Sequence, residues 1–261
     1  MGRIVATANQ KGGVGKTTTV VNVAACIAQA GRRVLVVDAD AQANATSGLG
    51  LRGSEGGTDR LMWGESDVER EALATVVPNL FLVPASEGLA AADVTLAGLP
   101  DRERRLRRAL VPARDKYDYV FIDCPPSLGL LTVNALAAAD GVLVPIQCEY
   151  YALEGLAQLM GTLERVRRGL NPGLVVDGIV LTMFDARTNL SAQIVDEVKR
   201  HFRGRVHSVL VPRLVRLSEA PSHGLPISLY DPRSRAAEVY QTLAEEVMER
   251  AEGSRTGAGA V

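Results

Sequence analysis

Short apolar runs rich in valine and isoleucine alternate with longer stretches of helical spacing along most of the chain. The apolar runs are nearly continuous, which is typical of parallel strands covered on both faces. The predicted strands cover residues 4–8, 34–37, 80–83, 119–122, 142–146, 174–181 and 206–211. The predicted helices cover residues 17–29, 87–97, 102–114, 128–138, 153–168, 190–202 and 236–252.

This alternation predicts an α/β fold, a doubly wound, mainly parallel sheet with helices on both faces. In such a sheet, ligands bind at the carboxyl ends of the strands. We expect a single domain over residues 1–252 and a flexible tail over residues 253–261, which are small and polar. The glycine-rich stretch 48–66 is predicted to be a mobile surface excursion.

The composition excludes several classes of protein. Of the 261 residues, 47% are hydrophobic and 23% are charged, so the chain is not disordered, collagen-like or a disulfide scaffold. It carries 29 basic and 30 acidic residues, so any surface for nucleic acid must be a local patch. Three scattered cysteines, no signal-peptide pattern and no long apolar run lead us to expect a cytoplasmic protein without a membrane partner.

A glycine-rich loop after the first predicted strand carries the first candidate chemistry. It reads Lys11-Gly12-Gly13-Val14-Gly15-Lys16-Thr17-Thr18 and leads into a predicted helix. Glycines let backbone N–H groups curl around an anion, and the positive end of the following helix points at the same anion. We expect Lys16 to reach the β- and γ-phosphates of a nucleotide and the Thr17 hydroxyl to ligate Mg²⁺ directly. The general motif begins with glycine, where this chain has Gln10.

Aspartates follow two of the predicted strands. Asp40 lies just beyond the second strand, and Asp123 ends the fourth. A carboxylate at a strand end beside a phosphate loop is placed to hold the water shell of Mg²⁺. We expect both residues to act through water, and Asp40 also to orient the attacking water.

Basic residues are concentrated late in the chain. Residues 187–216 contain seven arginines and lysines against two acidic residues. Composition alone fits either a solvated helix face or a surface that contacts phosphates. The arginines of residues 102–108 are predicted to lie on a solvated helix face.

The glycine loop resembles the deviant Walker A motif of the ParA/MinD superfamily, which is marked by a second lysine early in the loop, here Lys11. The similarity continues through motifs that are specific to the ParA/Soj chromosome-partitioning branch and span nearly the whole chain. These motifs lie at residues 44–50, 123–129, 147–155, 185–189 and 217–224.

The resemblance implies a P-loop ATPase that forms a homodimer around ATP. Because no arginine finger in cis is evident in the sequence, we expect slow intrinsic turnover. Lys11 of one subunit would reach the phosphates bound by the other and stabilise the charge that develops during transfer. A ParB-type centromere-binding protein would stimulate hydrolysis. The resemblance assigns nucleotide contacts to Lys11, Gly12, Gly13, Val14, Gly15, Lys16, Thr17 and Thr18 and, near the adenine, to Met183, Pro212 and Arg213.

The resemblance also implies that Arg187 and Arg216 bind double-stranded DNA without sequence preference, so the protein is expected on the nucleoid. Arginine contacts to phosphates give affinity but read no bases. Three positions depart from the family pattern: Ala41 replaces a usual proline, Ala43 a usual glycine and Leu214 a usual asparagine. The first two bear on the conformation of the loop after Asp40, and the third removes a polar contact near the nucleotide.

Three other functions use a similar phosphate loop or fold. A membrane-cycling ATPase of the MinD type, which acts in division-site placement, ends in a basic amphipathic helix. The last predicted helix here carries five glutamates and one arginine, which argues against that function. An iron–sulfur electron carrier would need paired cysteines at a dimer axis, and a small-molecule kinase or ligase would leave the basic stretch unexplained.

Overall fold

Strands from the whole length of the chain join in a single sheet. The computed structural model describes residues 1–52 and 56–257. Within these residues the strands are β1 (Arg3–Thr7), β2 (Val34–Asp38), β3 (Leu73–Ala74), β4 (Leu80–Val83), β5 (Tyr119–Asp123), β6 (Gly141–Gln147), β7 (Val175–Phe184) and β8 (Val206–Pro212). Their order across the sheet is β3-β4-β2-β5-β1-β6-β7-β8. Only β3 and β4 pair in antiparallel fashion among the strands described.

Helices connect the strands and cover the sheet. In the described part of the chain they are α1 (Lys16–Gln29), α2 (Asn44–Gly48), α3 (Thr58–Trp63), α4 (Val68–Glu71), α5 (Ala92–Ala97), α6 (Arg105–Leu110), α7 (Ala113–Lys116), α8 (Leu130–Ala138), α9 (Ala152–Gly169), α10 (Asn189–His201), α11 (Arg216–Glu219), α12 (Ile227–Tyr230) and α13 (Arg235–Gly257). Two 3-10 turns, Glu87–Ala91 and Ala220–His223, precede α5 and follow α11.

The near-continuous apolar strands fill two cores, one on each side of the sheet. Successive strand residues point to opposite faces, so Ile4 and Ala6 of β1 belong to one core and Val5 to the other. The first core is closed by α3, α5, α6, α8, α9 and α10, and the second by α1, α2, α12 and α13. This arrangement is the doubly wound α/β fold that the apolar pattern predicts.

The strand register brings the chemistry-bearing residues to one edge of the sheet. β1 lies between β5 and β6, and its last residue, Thr7, is level with Asp123 of β5. On the other side of β5, Asp38 of β2 is level with the same Asp123. The loop from β1 to α1 therefore begins beside two strand ends that carry aspartates.

The predicted elements differ from the structure mainly where glycine or proline occurs. The excursion predicted for residues 48–66 is wrong for α3, where Leu61 and Met62 are buried in the core. The flanking Gly57 and Gly64 are the caps of this helix, and Gly64 has the left-handed φ of 79° that favours glycine there. Residues 53–55 of that stretch lie outside the described part of the chain.

Two other predicted helices are shorter than expected. Residues 102–114 hold α6 and α7, because Pro112 separates the two segments. Residues 87–97 begin as a 3-10 turn and become α-helical at Ala92. At the end of the chain, α13 continues to Gly257, into the stretch assigned to a tail, and residues 258–261 lie outside the described residues.

Candidate functional site

The glycine loop forms one wall of a cavity of about 410 Å³ at the carboxyl ends of β1 and β2. Gly13 and Gly15 have φ values of 75° and 87°, which only glycine adopts readily. Val14 is buried, and its carbonyl accepts a hydrogen bond of 2.9 Å from Thr182 Oγ1 on β7. Six predicted loop residues line the cavity: Gly12, Gly13, Gly15, Lys16, Thr17 and Thr18.

Helix α1 begins at this cavity without a side-chain cap from any described residue. Gly15 precedes it in a left-handed conformation, so the N–H groups of the first turn point toward the cavity. Such a helix start is an anion site because the free donors and the helix dipole act together.

Lys16, the first residue of α1, is buried beside the loop. Its Nζ donates to the carbonyl oxygen of Lys11 at 3.0 Å. Burial lowers the pKa of Lys16, and the neighbouring carboxylate of Asp123 opposes that effect. The lysine is therefore poorly hydrated, which favours exchange of its carbonyl partner for a phosphate oxygen.

Asp123 lies fully buried at the end of β5. Its Oδ2 accepts a 2.7 Å hydrogen bond from Thr17 Oγ1, whereas no donor among the described residues reaches Oδ1. Burial, and then the charge of Asp38, raise the pKa of Asp123 well above its usual range. A buried carboxylate with an unpaired oxygen beside a threonine hydroxyl fits the water shell of a divalent cation, which would supply the missing charge and donors.

Asp40 and Asp38 have different roles in the geometry. Asp40 is nearly buried, lines the cavity and accepts a bond of 3.1 Å from the N–H of Gln42. Asp38 holds the chain instead: its Oδ2 accepts bonds of 2.8 and 2.7 Å from Thr46 N and Oγ1, and its Oδ1 one of 3.2 Å from Asp40 N. Burial raises the pKa of Asp38 to about 6. Asp38 was not among the predicted site residues, although its position at a strand tip is visible in the sequence.

The signature lysine of the loop does not line the cavity of its own subunit. The ammonium of Lys11 forms an ion pair with Glu149, which follows β6, and both side chains are partly exposed. Beside this pair, the rings of Tyr150 and Tyr151 are exposed and in edge contact with each other. The pairing with Glu149 could not be predicted, because it joins positions that are distant in sequence.

The predicted adenine contacts gather around a second cavity of about 360 Å³. Met183, Pro212 and Arg213 line it together with Leu214, one of the three departures from the family pattern. The two cavities share Gly15, Thr18 and Met183 as lining residues, so they adjoin.

Two residues of the site have left-handed backbone conformations that are unfavourable for side chains. Met183 has a φ of 52°, and Ala43, just before α2, has a φ of 54°. Such a conformation costs a non-glycine residue about 1–2 kcal/mol. The glycine that the family pattern has at position 43 is thus the residue that this backbone favours.

The predicted DNA-binding arginines lie on the surface, and carboxylates hold both of them. Arg187 is 88% exposed at its side chain and binds Asp185, whose pKa it lowers to about 2. Arg216 bonds to Glu219 at 3.1 Å, lies 3.5 Å from Asp231 and packs against the ring of Tyr230. The remaining basic residues of the stretch, Lys199, Arg200, Arg203, Arg205 and Arg213, are exposed.

The solvated helix face predicted for the arginines of residues 102–108 describes only part of their role, because several of them also bind backbone carbonyls. Arg105 is partly buried and donates to the carbonyl oxygen of Met62 at 2.7 Å. Arg104 and Arg107 donate to the carbonyl oxygens of Gly169 and Leu170 at 3.3 and 3.5 Å. These two arginines satisfy carbonyls at the end of α9, where cations are favourable.

The described residues hold no cluster of three or more histidines, cysteines or acidic residues suited to a metal ion. Cys26, Cys124 and Cys148 are buried, and burial raises the pKa of Cys26 and of Cys148 to about 11. No helix in the described part of the chain combines the length and apolarity that a membrane span requires.

A mainly parallel sheet whose central strand leads through a glycine loop into a helix defines the class of P-loop nucleotide-binding proteins. A family model described as an AAA domain matches residues 2–176. Over 249 residues the chain is 56% identical to the sporulation initiation inhibitor protein Soj of Bacillus subtilis (strain 168), with 95% of this chain and 98% of that protein covered. Over 252 residues it is 52% identical to the chromosome partitioning protein ParA of Myxococcus xanthus (strain DK1622), with 96% and 89% covered. The chain belongs to the ParA/Soj family of chromosome-partitioning ATPases.

Solved structures support the same fold. Cobyrinic acid a,c-diamide synthase from Mycobacterium smegmatis, solved with a bound ATP analogue and magnesium, matches with a TM-score of 0.85. The two chains are 34% identical, and the match covers 97% of each. The identity to the partition proteins is higher, in agreement with the family assignment.

Proposed function

We propose that this protein dimerises with ATP, binds DNA without sequence preference and drives chromosome or plasmid partitioning with a ParB-type partner. The observation that carries the proposal is the direction of Lys11, whose ammonium pairs with Glu149 rather than facing the cavity of its own loop. A lysine in that position is better placed to serve a nucleotide bound by a second subunit than its own. We further propose that residues 1–252 act as one ATPase unit on the nucleoid.

The loop residues have distinct roles in this proposal. The N–H groups of the glycine loop and of the first turn of α1 bind the phosphates of ATP, and Lys16 neutralises their charge. Thr17 would hold Mg²⁺ directly, and Asp123 and Asp40 would hold it through water. When bound, Mg²⁺ neutralises the charge that develops on the phosphates.

Hydrolysis then depends on residues from both subunits. Asp40 lines the cavity and would orient the attacking water. Lys11 of the second subunit would stabilise the charge on the transferred group. Dimerisation therefore gates turnover, which we expect to be slow until the ParB-type partner acts.

Arg187 and Arg216 support the DNA-binding part of the proposal. Both are exposed, and their carboxylate partners fix the position of each guanidinium. A dimer would present two copies of this surface. Because ATP-dependent dimerisation would join two weak surfaces, DNA binding would depend strongly on ATP. Because each phosphate contact releases counterions, binding would also weaken as the salt concentration rises.

Gel filtration with ATP tests the assigned roles. Lys16→Ala should remain monomeric because it lacks the phosphate-binding ammonium, and Asp40→Ala should accumulate as a dimer because it binds ATP without hydrolysing it. Lys116→Ala, a surface change on α7, is the control and should behave like the wild type. The reverse pattern, a dimeric Lys16→Ala and a monomeric Asp40→Ala, would contradict the assignments.

A pelleting assay with plasmid DNA and with liposomes, each with ATP, ADP or no nucleotide, tests the partner. We expect plasmid pelleting with ATP alone and no liposome pelleting, whereas a MinD-type protein would pellet with liposomes. Arg187→Glu and Arg216→Glu should lose DNA while still binding ATP. Arg70→Glu is a matched control, because Arg70 is also exposed and paired with an acidic residue close in sequence, Asp67. If both surface variants still bind DNA, the surface is assigned wrongly.

A further inference from the structure

Two loops that are distant in sequence touch through their backbones at Gly50 and Gly224. A Cβ atom added to Gly50 would lie 2.9 Å from the carbonyl oxygen of Gly224, and one added to Gly224 would lie 2.6 Å from the Cα of Gly50. Both residues have left-handed φ values, 78° and 65°. Neither position can hold a side chain without moving the other loop.

On one side of this contact lies the loop of residues 38–51, here named the aspartate loop. Asp38 holds its helix α2 through Thr46, and the N–H of Leu51 bonds back to the carbonyl of Thr46 at 3.1 Å. Asp40 on the same loop lines the phosphate cavity. A change in what Asp40 contacts can therefore reach Gly50 through a short, hydrogen-bonded segment.

On the other side lies the segment of residues 213–225, here named the arginine segment. It carries Arg216, whose guanidinium is held by Glu219 of the same segment. Its Pro221 and Leu225 line the same cavity as Asp40. The arginine segment thus contributes both to the cavity at the glycine loop and to the exposed surface formed by Arg187 and Arg216.

We propose that the Gly50–Gly224 contact couples the aspartate loop to the arginine segment, so that the state of the γ-phosphate sets the position of Arg216 within one subunit. This inference rests on the proposed function and adds a regulatory step to it. Dimerisation alone would place two arginine surfaces side by side without changing either. With the coupling, the surface of each subunit binds DNA only when Asp40 contacts bound ATP.

The test compares Gly50→Ala and Gly224→Ala with Gly31→Ala. Gly31 has a φ of 86°, and an added Cβ there meets no atom within 4 Å, so it reproduces the backbone strain without the loop contact. ATP binding is measured with a fluorescent analogue, dimerisation by gel filtration and DNA binding by plasmid pelleting. We expect the two contact variants to bind ATP and dimerise like Gly31→Ala but to bind DNA at least tenfold more weakly.

Two outcomes would overturn the proposal. DNA binding within threefold of Gly31→Ala in both contact variants would show that the contact does not couple the loops. ATP binding without dimerisation would assign the contact to assembly instead. If neither contact variant folds, amide hydrogen exchange of the wild-type protein tests the coupling instead. It is measured at a concentration where the ATP-bound chain is monomeric, so that dimer contacts do not contribute. Replacing ADP by ATP should change exchange in both loops, and a change confined to the aspartate loop would contradict the coupling.

This design separates the inference from the proposed function. If the wild-type protein binds plasmid equally well without nucleotide, the proposed function fails. If Arg187→Glu and Arg216→Glu both bind plasmid normally, the DNA surface is assigned wrongly. The exchange experiment contains no DNA, so its result on the coupling between the two loops stands in either case.

Discussion

The buried threonine of α2 offers the sharpest test of how the aspartate loop is held. Thr46 Oγ1 donates to Asp38 Oδ2 at 2.7 Å and accepts from the N–H of Ala85 at 3.0 Å. All three residues are at most 1% exposed, so water cannot replace either bond. Thr46→Val keeps the shape of the side chain, creates no cavity and removes both bonds.

The expected loss of stability follows from the two polar groups that Thr46→Val leaves without this partner, the N–H of Ala85 and the carboxylate of Asp38. A buried N–H without a partner costs about 1–3 kcal/mol, and a lost bond to a carboxylate costs about 1.5–3 kcal/mol. The added methyl group returns about 1 kcal/mol through burial. Asp38 keeps its bonds from the N–H groups of Thr46 and Asp40. Thr46→Val should therefore lower the free energy of unfolding by about 1.5–5 kcal/mol.

Urea unfolding followed by circular dichroism measures this loss. The matched control is Thr7→Val, because Thr7 is equally buried but its Oγ1 has no hydrogen-bond partner among the described residues. That variant should stay within about 0.5 kcal/mol of the wild type or be more stable. Equal stability of the two variants would refute the argument that the Thr46 hydroxyl holds the loop.

Three further predictions concern other parts of the site and fold. Ala43→Gly should raise the free energy of unfolding by up to about 1 kcal/mol, measured in urea, because it relieves the left-handed strain at φ 54°; a destabilised variant would contradict this. Burial, and then the charge of Arg250, lower the pKa of His207 from 6.5, so the unfolded chain takes up the proton first as pH falls. The free energy of unfolding should then drop below about pH 6.5, and thermal melts of His207→Gln should show a weaker drop than the wild type; equal pH profiles would exclude His207 as the cause. Glu149→Gln should strengthen ATP-dependent dimerisation by up to about thirtyfold in sedimentation equilibrium, because each dimer breaks two exposed ion pairs with Lys11, each worth at most about 1 kcal/mol. Weaker dimerisation would mean that Glu149 serves the dimer itself.

The sequence was sufficient to predict those parts of the molecule in which local pattern and structure agree. Parallel strands buried on both faces leave near-continuous apolar runs, and a glycine loop between a strand and a helix is recognisable by its spacing. Asp123 could be chosen because it ends such a run. The approach of Met183 to Pro212 and Arg213 came only from the family resemblance.

Contacts between distant segments could not be predicted from the sequence. Nothing near Lys11 indicates Glu149, and nothing near Gly50 indicates Gly224, because register and loop packing bring them together. The helix α3 was missed for another reason: glycine ends helices as well as forming loops, so a run of glycines does not separate the two cases. Arg105 was predicted to be solvated because it is charged, and its hydrogen bond to a backbone carbonyl leaves no signal in the sequence.

The central place of β1 in the sheet has a consequence for how the protein is made. β1 leaves the ribosome before the other described strands, and its neighbours β5 and β6 begin only at Tyr119 and Gly141. At about 5–20 residues per second, the strand waits roughly 6–28 seconds for them. During that interval an apolar segment stands without its neighbours, so nascent chains of this protein should engage chaperones early and release them only once β6 has emerged.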